Sequence, residues 1–137
     1  MSDTVKPPTQ AVMKTALDTY VERINAGDSD GVTALFTPDA TIEDPVGTPI
    51  KRGPEIAAWF ADTVAFETRI YPVGPARGSH GDEAALAFEV EFTPPTGPRL
   101  RIRSVDVCRF APDGRISALR AYWGPDDVFA AQGQTGD

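Results

Sequence analysis

The sequence predicts an α+β domain in which three helices pack on one face of a curved, mostly antiparallel sheet. Three observations predict it. Helical periodicity governs the three stretches before residue 65, apart from one short strand between the second and third. A two-residue period then governs nearly everything that follows, with turn-forming segments short enough for hairpins. The 13 prolines fall almost entirely between these stretches, where they interrupt neither helix nor ladder.

From Thr9 to Asn25 the apolar residues Val12, Met13, Ala16, Leu17, Tyr20, Val21 and Ile24 draw one stripe along a helix, with Thr9 as N-cap and Gly27 as the stop. Asp28 caps a short second helix whose buried side is Val32, Leu35 and Phe36. Ala40–Asp44 alternates as a strand, with Ala40, Ile42 and Asp44 on one side. Gly53-Pro54 opens a third helix that buries Ile56, Trp59, Phe60, Thr63 and Val64. Strands are then expected over Phe66–Val73, Ala84–Phe92, Leu100–Phe110 and Ile116–Trp123. Pro94–Pro98 and Asp113-Gly114 turn the chain between them. One domain spans residues 1–137, with residues 1–8 and 126–137 expected as flexible ends.

Composition narrows the function classes. With 137 residues, 41% hydrophobic and 24% charged, the chain can bury a core without metal or disulfide help. Its one cysteine, Cys108, lies in an apolar run and reads as a small buried hydrophobe. A net charge of -7 repels phosphate backbones and anionic membranes, which argues against nucleic acid or a membrane as partner. No apolar run approaches the roughly 20 residues of a membrane span, and the first eight residues lack the apolar stretch of a signal peptide. The cytoplasm is the expected location. His80 and Cys108 are far apart, no cluster has metal-ligand spacing, and no phosphate loop or nucleophile elbow is present, so no metal or cofactor is expected.

Three polar residues break the apolar pattern. In Leu100–Phe110 the even positions are Leu100, Ile102, Ser104, Asp106, Cys108 and Phe110, while Arg99, Arg101, Arg103 and Arg109 mark the wetter odd side. Asp106 therefore falls on the buried side. There it must be paired, hydrogen-bonded or protonated, and without a nearby cation desolvation makes it a neutral acid that donates a hydrogen bond. A bulge, or a pair with an arginine such as Arg120, is the alternative reading. Asp44 shares its strand face with Ile42 and Ala40 and precedes a Pro/Gly-rich loop; it either borders a pocket or caps the Val46-Gly47 turn. Tyr20 lies on the apolar helix stripe, as core or as a hydroxyl aimed into a cavity. Trp59, Phe60, Phe88, Phe92, Phe110, Tyr122 and Trp123 can line such a cavity or simply fill the core.

The run from Tyr20-Val21 through Asn25-Ala26-Gly27-Asp28 and Ala34-Leu35-Phe36 to Glu43-Asp44-Pro45-Val46-Gly47 resembles bacterial Δ5-3-ketosteroid isomerase. Val105-Asp106, Arg109-Phe110 and Arg120-Ala121 extend the likeness, which spans roughly residues 10 to 130. The resemblance implies a cone-shaped fold of the nuclear transport factor 2-like (cystatin-like) kind, three helices on a mixed, mostly antiparallel sheet. It implies a cofactor-independent steroid Δ-isomerase that moves the Δ5 double bond of a 3-oxo steroid to Δ4, with a homodimer as the working form and a small apolar steroid ketone as substrate. By position, Asp44 matches the family's general base, Tyr20 its oxyanion-hole tyrosine and Asp106 its protonated aspartic acid. Val21, Phe36, Trp59, Phe60, Phe88, Cys108 and Trp123 are the expected pocket walls. Phe60 and Phe36 stand where some members carry further tyrosines, and Val107-Cys108 is smaller than the histidine–aromatic pair of one branch. A non-catalytic binder of steroids or similar ligands, and a cyclase or dehydratase acting on another polycyclic ketone, are the alternatives.

Overall fold

The structure, a computed structural model, describes residues 6–131. Its elements run α1 (Gln10–Asn25), α2 (Ser29–Thr33), β1 (Phe36–Glu43), β2 (Lys51–Arg52), α3 (Pro54–Ala65), β3 (Arg69–Pro72), β4 (Glu83–Phe92), β5 (Leu100–Phe110), β6 (Ile116–Tyr122), a 3₁₀ turn at Pro125–Asp127, and β7 (Val128–Ala130). The strands form one open seven-stranded sheet in the order β2-β1-β6-β5-β4-β3, with β7 beside the start of β5. β1 and β6 run parallel and the other pairs are antiparallel, which makes the sheet mixed.

Local chemistry sets the helix ends. Thr9 Oγ1 accepts from the Val12 amide at 3.2 Å, and Gly27 follows the last turn of α1 with φ +72°, a conformation that disfavours a side chain. Asp28 caps α2 by accepting from the Gly31 amide at 2.9 Å. Met13, Leu17, Tyr20 and Ile24, spaced four, three and four residues apart, form the buried stripe of α1. Val12 lies at the edge of that stripe and is 45% exposed.

Three expectations about the elements are corrected. Leu35 and Phe36 do not belong to α2, which stops at Thr33; Phe36 opens β1 and pairs with Ile116. The early half of β1 was hidden because Pro38 and Asp39 are exposed and the register slips between Phe36 and Thr41, breaking the alternation. The strand expected over Phe66–Val73 shrinks to Arg69–Pro72, since Phe66 is the C-cap of α3. The segment from residue 126, expected as a free end, instead folds back: Val128–Ala130 pairs with Leu100–Ile102, and Phe129 stacks under the Arg103 guanidinium at 4.8 Å. Residues 1–5 and 132–137 lie outside the described residues.

The parity of β5 divides the sheet. Ile102, Ser104, Asp106, Cys108 and Phe110 are buried on the face that meets the helices. The opposite face carries Arg101, ion-paired with Glu89 and Glu91, and Arg99, 3.3 Å from Glu91. At one edge of the sheet the Asn25 side chain, at the end of α1, donates to the Ile70 carbonyl at 2.9 Å and accepts from the Ile70 amide at 2.7 Å. This pair of hydrogen bonds ties the helix that carries Tyr20 to the strand that flanks β4. Among the described residues no helix is long and apolar enough to cross a membrane.

Candidate active site

A cavity of about 380 Å³ opens between the helices and the inner face of the sheet. That lies within the roughly 300–1,000 Å³ range of small-molecule sites, near its lower end. Tyr20, Asp44 and Asp106, distant in sequence, all line it. Tyr20 comes from α1, Asp44 from the loop just past β1, and Asp106 from the middle of β5, paired with Leu86 and Ala121 on its two sides. Trp59, Phe88, Phe92 and Trp123 supply aromatic wall, as the sequence suggested; Ile24, Ile70, Val90 and Ile102 supply aliphatic wall.

Four expected wall residues do not border the cavity. Phe60 is packed edge-on against Tyr20 with ring centroids 6.0 Å apart, and Phe36 lies behind it at 5.3 Å. Both support the tyrosine from the core side. Cys108 is fully buried one step beyond Asp106 on β5, and Val21 packs against the core from the side of α1. Phe110 is likewise core, while Tyr122 points to the outer face, 44% exposed. Phe36, Phe60, Cys108 and Phe110 are buried in the apolar core; the hole is simply not next to them.

Asp106 is 3% exposed, and its Oδ1 has no hydrogen-bond partner among the described residues. Arg120, the cation that would have neutralised it, instead reaches Glu43 at 3.1 Å. Burial therefore pushes the Asp106 carboxyl well above the usual carboxylate range, and the Asp44 charge adds to the effect. The Ser104 hydroxyl favours the charged form to a smaller degree, without completing a hydrogen bond of ordinary geometry. Tyr20 is raised for the same first reason, desolvation, with Asp106 and then Asp44 as further causes. The mutual influence of the three groups reflects their convergence.

Asp44 differs in kind. The turn after it is capped by its neighbour: Glu43 Oε2 accepts from the Gly47 amide at 2.9 Å, and the Val46 amide donates to the Ala121 carbonyl at 2.8 Å. Asp44 is thus freed from the capping role, and its Oδ1 accepts from the Trp123 indole at 2.9 Å. Desolvation raises its pKa, while the Trp123 bond and the positive charge of Lys51 pull it back. Lys51 itself lies over the Trp59 ring, 4.3 Å from the centroid. The arrangement sets a carboxylate that can ionise beside two buried groups that hold their protons.

The raised Asp106 pKa has a consequence for stability. Unfolded, the group ionises near pH 4; folded, it keeps its proton to higher pH, so the unfolded chain binds fewer protons in between. Stability from this group is complete below about pH 4 and falls as pH rises toward the folded pKa, by at most about 1.4 kcal/mol per pH unit per proton. Between pH 5 and 8 the melting temperature is expected to fall more steeply for the wild type than for Asp106→Asn, and parallel curves would contradict the buried neutral acid.

Comparison with known proteins places this cavity in context. Residues 17–119 match the SnoaL-like domain family. A steroid Delta-isomerase of Nocardioides simplex is 32% identical over 121 residues, covering 86% of this chain and 94% of that protein. The epoxide hydrolase LasB of Streptomyces lasalocidi is 33% identical over 124 residues, 88% of this chain but 44% of LasB. In three dimensions, the epoxide hydrolase/cyclase-like enzyme SalBIII, described for pyran ring formation in the polyether salinomycin, superposes with a TM-score of 0.80. Its identity is 34%, over 86% of this chain and 95% of SalBIII.

Proposed function

The chain belongs to the SnoaL-like domain family, and from that premise we propose that it is a cofactor-independent isomerase converting a Δ5-3-oxo steroid to its Δ4 isomer. One observation carries the reading: an unpaired, buried Asp106 faces the same cavity as Tyr20 and as an ionisable Asp44. A buried acid without a protein partner is costly unless something else completes its hydrogen bond, and a ligand oxygen does so.

Asp44, ionised, removes a proton from C4 of the substrate, between the ketone and the double bond. The electron pair moves into the carbonyl, and the C3 oxygen of the dienolate carries the negative charge. Tyr20 and neutral Asp106 donate to that oxygen; charge-assisted O–H···O⁻ bonds of this kind run at about 2.5–2.7 Å. Asp44 then returns the same proton to C6, and the conjugated enone leaves. Uncharged donors suit the site because a cation would lose more hydration beside apolar walls. The steroid is held chiefly by apolar area removed from water, at about 25 cal/mol per Å².

The test is optical. Mixing the purified protein with a Δ5-3-ketosteroid is expected to produce conjugated-enone absorbance, and saturable binding with no absorbance change would leave only a binder. A second reading rests on SalBIII and LasB: the same groups can close a ring, Asp44 deprotonating a hydroxyl while Asp106 protonates the oxygen that opens or leaves. Ring closure of a hydroxy-epoxide with no enone formed from the steroid would favour it. We also infer a homodimer through the outer sheet face, where Val105 and Tyr122 pair across strands and are 41% and 44% exposed.

A further inference from the structure

We propose that Ser104 is a specificity-determining residue: the cavity takes a substrate bearing a second oxygen, and the Ser104 hydroxyl hydrogen-bonds it. The inference deepens the reading above, since it takes the cavity as the substrate site. Ser104 is 6% exposed, lines the cavity, and its Oγ has no hydrogen-bond partner among the described residues. Its surroundings are apolar, with Ile102 two residues before it on the same face and Phe88 paired with it from β4.

A buried hydroxyl left unpaired costs about as much as a lost hydrogen bond, so a small apolar residue would serve a purely hydrocarbon ligand better here. The Ser104 hydroxyl lies near enough to the Asp106 carboxyl to influence it, yet its Oγ completes no hydrogen bond of ordinary geometry among the described residues. Two polar groups without a hydrogen bond of ordinary geometry among the described residues therefore stand side by side on one strand face, their Cα atoms about 6–7 Å apart. Cys108, the next residue inward, does not line the cavity, whereas Ile102, the next residue outward, does. Ser104 thus faces the body of a ligand whose reacting oxygen lies between Tyr20 and Asp106. The substrate class that completes both groups is an oxygenated ring ketone with a hydroxyl, ether or second carbonyl placed to reach Ser104.

Calorimetric titration with aromatic alcohols tests this apart from turnover. The probes are 2-naphthol, whose single hydroxyl mimics the enol, and its 1,6-, 2,6- and 2,7-dihydroxy relatives, which place a second hydroxyl in different directions. At least one of the three is expected to bind the wild type about five- to tenfold more tightly than 2-naphthol does. That gain should vanish in Ser104→Ala, with 2-naphthol itself held within about twofold. Equal ratios in the two proteins, or no binding of any probe, would overturn the proposal. Absence of enone formation with this preference intact would instead remove the steroid reading and leave Ser104 as the polar contact.

Discussion

Asp44→Asn is expected to lower kcat for enone formation by about 10²–10⁴-fold, the usual weight of a positioned general base, while steroid binding is largely kept. The amide keeps the shape and can still meet the Trp123 indole with its oxygen, so the cavity wall stays in place. What it loses is the lone pair that takes the C4 proton in the proposed reaction. The pH profile supplies a second signature. In the wild type kcat/KM should rise with pH through the Asp44 pKa, which burial lifts above the ordinary value and which Trp123 and Lys51 hold back from climbing further. In Asp44→Asn that limb should disappear. Near-wild-type turnover, or an unchanged limb, would assign the proton transfer to another group.

Asp106→Ala is expected to cost about 10²–10³ in kcat, the effect of one lost oxyanion donor. The loss should appear in kcat more than in KM, because the donor matters most when the oxygen carries full charge. Asp106→Asn, which retains a donor of similar size without an acid's strength, should fall between Ala and wild type. A structural role predicts something else: both variants would melt early, and activity would track the folded fraction. Since the carboxyl Oδ1 has no hydrogen-bond partner among the described residues, both are expected to fold.

Strand parity was enough to put Asp106 on the buried face, where a carboxylate among Ile102, Cys108 and Phe110 is a rare event with few explanations. The same parity placed Ser104 on that face, yet a serine there attracts little notice until its hydroxyl proves buried and unpartnered. Phe36, Phe60 and Cys108 show the limit of such reasoning. Periodicity tells which way a residue points and not whether it meets another side chain or empty space; that depends on how three helices and a curved sheet fail to close. Trp59 and Thr63, expected to be buried in α3, are half-buried because they border that gap. The Glu43–Gly47 cap was equally hidden, as Glu43 and Asp44 compete for the same turn and only geometry decides between them. β7 escaped notice because three residues carry too little pattern, and its partner lies about 28 residues away along the chain.

The Asn25–Ile70 pair also has a bearing on how the molecule behaves in a crowded solution. β3 is a terminal strand, and its outward amide and carbonyl at Ile70 would otherwise offer a template to a strand from another molecule. A primary amide carries the same donor and acceptor as a peptide unit, so Asn25 occupies that template from within the same chain. One side chain at the end of a helix thereby covers this part of the sheet's open edge.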